Sequence, residues 1–195
     1  LVEHRHDLVI VQEKLDGSNV ATAKLDGQLL ALGRSGYLAQ TSKYPQHQLF
    51  ADWVRTHTHW LAPLLEDGER LCGEWLAQAH GTRYRLSDTD PFIVFDLMRG
   101  QQRLPTMSVR ERVIGMLPVA HILDIRQGQG CPIEDMLALL GTYGHHGALD
   151  PVEGLVYRVE RHGAVDFLAK YVRPDKRDGC YLPEITGSEP VWNWR

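Results

Sequence analysis

Two short segments separated by Asp-Gly constrain the fold of this chain more than any other local feature. Residues 19–24 largely alternate polar and apolar side chains, residues 28–32 are apolar after Gln28, and Asp26-Gly27 separates the two segments. Asp-Gly between alternating segments is a strong signal for a two-residue hairpin, because both turn positions need a positive φ. The sequence therefore predicts antiparallel sheet near the start of the chain.

Apolar and β-branched runs predict further strands, and longer amphipathic patterns predict helices between them. Ser108 followed by Glu111 forms a capping box at the start of one such helix, and Pro132 falls in the first turn of another. Strands joined by hairpins, with helices inserted, predict an α+β fold built on antiparallel sheet rather than a regular βαβ alternation. The further predicted strands are residues 8–13, 69–76, 91–98, 119–125, 152–159 and 164–172, and the predicted helices are residues 46–65, 107–116 and 132–140.

Length and composition predict one globular domain over residues 1–195, with residues 174–195 as a surface tail. Of the 195 residues, 43% are hydrophobic and 24% are charged, so the chain can bury a core without disulfides or a structural metal. The net charge of −4 argues against a histone-like nucleic-acid binder. Cys72, Cys131 and Cys180 are far apart, which suits a reducing compartment, and no apolar run reaches the ~18 residues of a membrane helix. We expect a cytoplasmic monomer.

Lys14 is the first candidate for a catalytic residue. It follows a predicted buried strand and precedes the turn at Asp16-Gly17, where a pocket can form. An amine becomes a nucleophile when desolvation or neighbouring cations lower its pKa, whereas a guanidinium keeps its proton. Asp16 is close enough in sequence to orient the amine or to hold metal-bound water, and Gly17 would let the backbone approach a phosphate. On this pattern alone, a surface lysine before a turn is the more common interpretation.

Six short motifs follow one another along the chain. They are Lys14-Leu15-Asp16-Gly17, Gly33-Arg34-Ser35-Gly36, Cys72-Gly73-Glu74-Trp75, the strand from Phe92 to Leu97, the segment from Glu153 to Arg158, and the segment from Phe167 to Val172. In this order they resemble the motifs of the covalent nucleotidyltransferases, the superfamily of ATP-dependent DNA ligases, RNA ligases and mRNA capping enzymes. Three further features resemble the RNA ligase 2 branch: the continuation of the first motif as Gly-Ser-Asn, Gly-Glu-Trp-Leu in the third, and an apolar strand that ends in Phe-Asp.

The resemblance implies an ATP-grasp-like nucleotidyltransferase domain, with two antiparallel sheets around a nucleotide cleft and flanking helices. It also implies a reaction in which Lys14 attacks the α-phosphate of ATP to form lysyl-AMP. AMP then passes to an RNA 5′-phosphate, and a 3′-hydroxyl attacks that end. The implied catalytic residues are Lys14 and Lys170; the implied ATP contacts are Glu13, Leu15, Asn19, Arg34, Glu74, Phe95 and Lys170; and the implied ligands of Mg²⁺, with Mn²⁺ as the alternative, are Asp16, Glu74 and Glu153.

The charges fit this interpretation. Lys170, Arg173, Lys176 and Arg177 place four cations close together in sequence, which suits the negative charge of a triphosphate. The three proposed metal-binding carboxylates have no obvious cationic neighbour in sequence except Arg158, and such oxygens suit Mg²⁺.

The sequence departs from the family pattern at one position, and it leaves several functions and substrates open. The last motif of relatives often has Lys-x-Lys, but Val172 occupies the second position here, so Arg173 or Lys176 would have to replace that lysine. The 22 residues after Arg173 are too few for the OB-fold of DNA ligases and capping enzymes. A minimal DNA ligase, a capping-type enzyme and an end-binding module without catalysis are the alternatives. A nicked RNA duplex, a DNA/RNA hybrid and single-stranded ends are all open as substrates.

Overall fold

The computed structural model describes residues 5–86 and 89–195, which form two compact units. The first unit is built from Leu1–Asp16, Gln78–Thr89 and Ala120–Arg195, and the second from Gly17–Ala77 and Asp90–Val119. Each unit contains one antiparallel sheet with helices packed beside it, which confirms the predicted α+β class.

The elements are numbered in chain order through both units. The strands are β1 (Leu8–Lys14), β2 (Ser18–Leu25), β3 (Gln28–Gly33), β4 (Glu69–Trp75), β5 (Phe92–Arg99), β6 (Gln102–Arg103), β7 (Ile122–Gln127), β8 (Gly154–Arg161) and β9 (Ala164–Val172). The helices are α1 (Pro45–Thr56), α2 (Thr58–Leu61), α3 (Thr106–Val113), α4 (Ile133–Leu140) and α5 (Pro183–Thr186), with 3₁₀ turns at Ala39–Thr41 and Ala62–Leu64.

The first unit contains a four-stranded sheet in the order β7-β1-β8-β9. β1 is central, so its apolar residues Ile10 and Val11 are fully buried. Leu155 of β8 and Met136 of α4 are buried in the same unit, because helix α4 packs beside β7 and β8. Alternation of side chains across a strand places Lys14 and Gln12 on one face of this sheet and Glu13 on the other.

The second unit contains a five-stranded sheet in the order β3-β2-β4-β5-β6, with the predicted hairpin as its β2–β3 edge. Its core is aromatic. Phe50 and Trp53 of α1 pack against Trp75 of β4 and Phe92 of β5, with ring centroids 5.2–5.8 Å apart across the helix–sheet contacts. Such tilted and edge-to-face pairs stabilise a core beyond the area that they bury.

The helix boundaries differ from the predictions at three places. The helix predicted over residues 46–65 breaks at His57, whose ring nitrogen lies 2.7 Å from the Trp53 carbonyl, and Pro63 then falls in a 3₁₀ turn. The predicted N-cap at Ser108 is wrong, because Pro105 occupies that position and Ser108 lies inside α3. Pro132 is the N-cap of α4 rather than part of its first turn.

The predicted strands agree with the structure better than the predicted helices do, since every predicted strand has a counterpart among β1–β9. Strand β9 has the predicted boundaries, and the β7 strand is shifted toward the C-terminus. The extent of a single domain over residues 1–195 stays a prediction. In the described part of the chain, no helix combines the length and apolar character that a membrane span requires.

Candidate functional site

Lys14 is the last residue of β1, and its ammonium forms an ion pair with Glu153. The distance from Nζ to Oε2 is 2.5 Å, and the two side chains are only 19% and 15% exposed. The register of the sheet explains the contact, because Lys14 lies opposite Gly154 and Glu153 directly precedes it. Lys14 thus supplies Glu153 with a cationic neighbour that is distant in sequence.

Partial burial sets the acidity of Glu153. Burial raises the pKa of this carboxyl, while the hydrogen bond and charge of Lys14 act in the opposite direction and do not fully offset it. A carboxylate with a raised pKa, in contact with an ammonium, can both hold the amine in place and accept its proton.

The Asp16 carboxylate is buried in the first unit, where three donors contact it. Its Oδ2 accepts the Gly81 N–H at 3.1 Å and the Thr82 hydroxyl at 3.1 Å, and lies 2.8 Å from the Lys176 ammonium. The carboxylate is 6% exposed. Its Oδ2 is therefore occupied by three protein donors, which makes this oxygen a poor direct ligand for a metal ion. Lys176 thus supplies Asp16 with a cationic neighbour that is distant in sequence.

Lys170 lies on the same face of the sheet as Lys14. It is exposed on β9, opposite Val156 of β8, and Val156 lies opposite Gln12 of β1. Paired residues share a face, and Gln12 and Lys14 are two residues apart. The register therefore brings both proposed catalytic lysines to one side of the first unit.

Glu13 and Leu15 have their side chains in the interior. Leu15 is 6% exposed and Glu13 is 2% exposed. The Glu13 carboxyl accepts the His145 N–H at 2.7 Å, and burial raises the pKa of this group to about 7. Both side chains are therefore buried, and the contact of these two residues with ATP stays a prediction.

Phe95, Arg34 and Asn19 line one cavity of about 450 Å³ in the second unit. Phe95 is half-buried, at a register shift between β4 and β5. Phe92, the other aromatic residue that could stack on a base, is fully buried in the core and does not reach this cavity. The cavity thus combines an aromatic side chain, a guanidinium and an amide, which suits a nucleotide.

Cys72 also lines this cavity. It is half-buried rather than fully buried, and burial together with the nearby Asp96 raises the pKa of its thiol to about 11. The thiol is therefore protonated at neutral pH, as expected of an unreactive cysteine.

Glu74 and Gly17 meet within the second unit. Glu74 lies opposite Asn19 in the β2–β4 register, and its Oε1 accepts the Gly17 N–H at 3.1 Å. A Cβ on Gly17 would lie 2.5 Å from the Trp75 carbonyl oxygen, so this glycine is required by the approach of two backbone segments. This close packing explains why residue 17 is a glycine, without the predicted approach of its backbone to a phosphate.

The donor set fits a divalent cation at Glu153 better than at Asp16. Within residues 5–86 and 89–195, no group of three or more His, Cys, Asp or Glu side chains is arranged to hold a metal ion. Mg²⁺ commonly binds one or two carboxylates and takes its other ligands from water and substrate phosphates. Glu153, which is partly exposed, and Glu74, which is half-buried, are compatible with that mode.

Several residues of the site are not predicted by the sequence patterns. Gly81, Thr82 and Tyr84 surround Asp16, and Tyr84 accepts the Asp16 N–H at 3.1 Å. No periodicity or motif marks this segment. By contrast, the cavity residue Arg70 shares a face of β4 with Cys72 and Glu74, so strand alternation alone could have indicated it.

Comparison with known proteins identifies the family of this chain. The RNA ligase family model matches residues 7–172 of the chain. An uncharacterized protein of Methanocaldococcus jannaschii is 27% identical over 119 residues, which are 57% of this chain and 28% of that protein.

Several solved RNA ligases share the fold. An archaeal ATP-dependent RNA ligase has a TM-score of 0.55 at 23% identity, over 87% of this chain and 44% of its own. A Naegleria gruberi RNA ligase variant with AMP and Mn has a TM-score of 0.61 at 20% identity, over 87% of this chain and 51% of its own. The same ligase with pyrophosphate has a TM-score of 0.59 at 20% identity, over 86% of this chain and 50% of its own. The chain spans about half the length of these solved chains.

Proposed function

Because this chain belongs to the RNA ligase family, we propose that it is an ATP-dependent RNA ligase that acts through a lysyl-AMP intermediate. The observation that carries the proposal is the placement of Lys14 at a strand end, with the carboxylate of Glu153 at 2.5 Å. Relatives of the same fold are described with AMP and Mn, with ATP and Mn, and with pyrophosphate, which supports ATP as the substrate.

In the proposed first step, Nζ of Lys14 attacks the α-phosphorus of ATP. The ammonium first gives one proton to Glu153, which is in contact with it and which we assign as the acceptor, and this frees the nitrogen lone pair. A phosphorus–nitrogen bond then forms, the bond to the pyrophosphate oxygen breaks with its electron pair on pyrophosphate, and the nitrogen releases its second proton to water. The ion pair also fixes the direction of the amine, so less entropy is lost when the reactive geometry forms.

A divalent cation is part of the proposal. Mg²⁺ or Mn²⁺, when bound, would neutralise charge on the leaving pyrophosphate, with Glu153 of the first unit or Glu74 of the second as the proposed carboxylate contact. Lys170 is exposed on the Lys14 face of its sheet, and we assign it to the α-phosphate. In the second unit, Phe95 is assigned to the adenine ring, Glu74 to the ribose, and Arg34 and Asn19 to polar contacts with the nucleotide.

The later steps and the partner belong to the same proposal. AMP would pass to the 5′-phosphate of an RNA end, and a 3′-hydroxyl would then displace AMP to form the phosphodiester. Nicked duplex, DNA/RNA hybrid and single-stranded ends are the substrates to compare. We propose a monomer in the cytoplasm, and the three free cysteines support a reducing compartment.

The nucleophile is tested with two variants of Lys14. Lys14→Arg keeps a cation beside Glu153 but cannot attack, because a guanidinium does not lose its proton. Lys14→Ala removes both functions. We expect both variants to take up no AMP from α-labelled ATP, and Lys14→Arg to unfold at nearly the wild-type temperature. Intact-protein mass spectrometry after incubation with ATP or GTP measures the adduct and separates ATP-dependent ligases from capping-type enzymes.

Ligation assays on matched RNA and DNA nicks then identify the acceptor. AMP uptake by Lys14→Arg would show that another residue is the nucleophile. A wild-type protein that binds nucleic-acid ends but never gains AMP would favour the end-binding module.

A further inference from the structure

Lys176 is buried in the first unit, where an unpaired lysine would be strongly unfavourable. Its side chain is 5% exposed, and its ammonium lies 2.8 Å from Asp16. The ammonium also donates to the Thr82 hydroxyl and to the Pro151 carbonyl. All of its hydrogen-bonding capacity is therefore directed to this protein rather than to a phosphate.

The surroundings of Asp16 form a closed hydrogen-bonded group, here called the Asp16 cluster: Asp16, Gly81, Thr82 and Lys176. The Thr82 hydroxyl accepts a hydrogen bond from the Lys176 ammonium and donates its single proton to the Asp16 carboxylate. A Cβ on Gly81 would lie 2.9 Å from the Asp16 Oδ2 and 3.1 Å from the Lys176 Cε. The cluster is thus packed as closely as it is hydrogen-bonded.

The segment that carries Lys176 is also attached to the partner of the nucleophile. The Arg173 N–H donates to the Glu153 carbonyl at 2.9 Å, and the Lys176 N–H donates to the Arg173 carbonyl at 3.1 Å. One short segment therefore contacts the residue that pairs with Lys14 and, through Lys176, the carboxylate two residues after Lys14.

We propose that Lys176 is a positioning residue for the attack by Lys14, through its ion pair with Asp16. The inference rests on the function proposed above and assigns Lys176 a role other than contact with the triphosphate. Lys176 fixes the turn that follows Lys14, while the Arg173 backbone fixes Glu153. The Lys14 amine is thereby positioned both by the turn that follows it and by Glu153. Loss of Lys176 releases the turn and leaves Glu153 in place.

The test is a double-mutant cycle on Lys176→Met and Asp16→Asn, with Lys43→Met as the control for loss of an exposed lysine. The maximal rate of AMP uptake and the ATP concentration for half-maximal rate are measured at a temperature where every variant is folded. We expect Lys176→Met to slow the maximal rate about 10- to 100-fold, the scale of a 1 Å misplacement, with the ATP requirement unchanged within about twofold.

Two further variants keep the test decisive. The double variant leaves no unpaired buried charge, so we expect it to fold even where a single variant does not. We expect its rate to be below that of wild type but not below that of the slower single variant. Lys176→Arg keeps the charge and should recover part of the rate. Lys43→Met should behave as wild type.

The outcomes separate this inference from the proposed function. A higher ATP requirement at an unchanged maximal rate would show that Lys176 contacts the triphosphate, and additive effects in the cycle would show that Asp16 is not its partner. A double variant with the wild-type rate would exclude any positioning role. If the wild-type protein itself gains no AMP, the proposed function fails; if it gains AMP and Lys176→Met does so equally fast, only this inference fails.

Discussion

Glu13 precedes Lys14 in the chain but lies on the opposite face of the sheet, and this single carboxyl gives the stability a distinctive pH dependence. It is 2% exposed, and burial raises its pKa to about 7 against the opposing hydrogen bond from the His145 N–H. Between pH 4.5 and 7 the folded protein therefore retains a proton that the unfolded chain releases. The contribution of Glu13 to the free energy of unfolding is present below pH 4.5 and is lost as the pH rises through 7.

Glu13→Gln is expected to remove this dependence, because the amide keeps the shape of the side chain and cannot ionise. The variant should match wild type near pH 4 and exceed it at pH 8 by up to roughly 3 kcal/mol in the free energy of unfolding. Urea unfolding of both proteins at several pH values measures the difference. His146, whose pKa is lowered to about 4 by burial and by His121 and His145, acts in the opposite direction but is common to both proteins. A difference that does not change with pH would contradict the prediction.

Phe95 is the aromatic side chain of the nucleotide proposal, and its removal has a defined cost. Stacking of a base on an aromatic ring contributes about 1–3 kcal/mol, so Phe95→Ala should raise the ATP requirement for AMP uptake roughly 10- to 100-fold. Phe95→Tyr, which keeps the ring, should have a small effect. The measurement is the rate of AMP uptake over a range of ATP concentrations.

Phe92→Leu is the matched control for this prediction. Phe92 is fully buried among Phe50, Trp53 and Trp75, so its replacement should lower the unfolding temperature and leave the ATP requirement unchanged. If Phe95→Ala left the ATP requirement unchanged, the base would have to bind elsewhere.

At the level of elements, helix α3 is joined to the sheet of the second unit through Glu69. This residue of β4 is 1% exposed and forms ion pairs with Arg99 of β5 at 2.9 Å and with Arg112 of α3 at 2.7 Å. Burial alone would raise the pKa of Glu69, but hydrogen bonds from the Glu66 N–H, Arg112 and Arg99 lower it below its usual value.

Arg112→Met should therefore loosen α3 from the sheet. Arg112 also donates to the Leu64 carbonyl, and hydrogen bonds to charged groups contribute about 1.5–3 kcal/mol, so we expect a loss of that size in the free energy of unfolding. Arg55→Met on α1 is the control, since its pair with Asp52 is highly exposed and should contribute less than about 1 kcal/mol. Urea unfolding of both variants makes the comparison, and equal losses would contradict it.

The elements also show what a sequence can predict. Residues 164–172 are mostly apolar and directly follow the turn at residues 161–163, so the sequence predicts this strand with its correct ends. The capping box at Ser108 was misleading, because Pro105 already supplies the carbonyl that accepts the Val109 N–H. The break at His57 depends on how its side chain contacts the Trp53 carbonyl, which helical periodicity does not contain.

At the scale of the whole molecule, the motifs located the candidate residues but not their partners. Lys14 and Glu153 were both identified, yet their ion pair follows from the β1–β8 register, which no local pattern specifies. Lys176 was grouped with the cations that suit a triphosphate, and only the fold shows that its charge is used by Asp16. Contacts between residues that are distant in sequence depend on topology, so spacing alone could not predict them.

The order of the Asp16 cluster along the chain has a consequence for biosynthesis. Thr82 lies 66 residues after Asp16, and Lys176 lies another 94 residues later. At a translation rate of about 5–20 residues per second, the ribosome needs roughly 5–20 s to pass from Thr82 to Lys176. Throughout that interval the nascent chain carries Asp16 without its counter-charge. The turn after Lys14 therefore reaches its final form only late in translation, after both sheets have been synthesised.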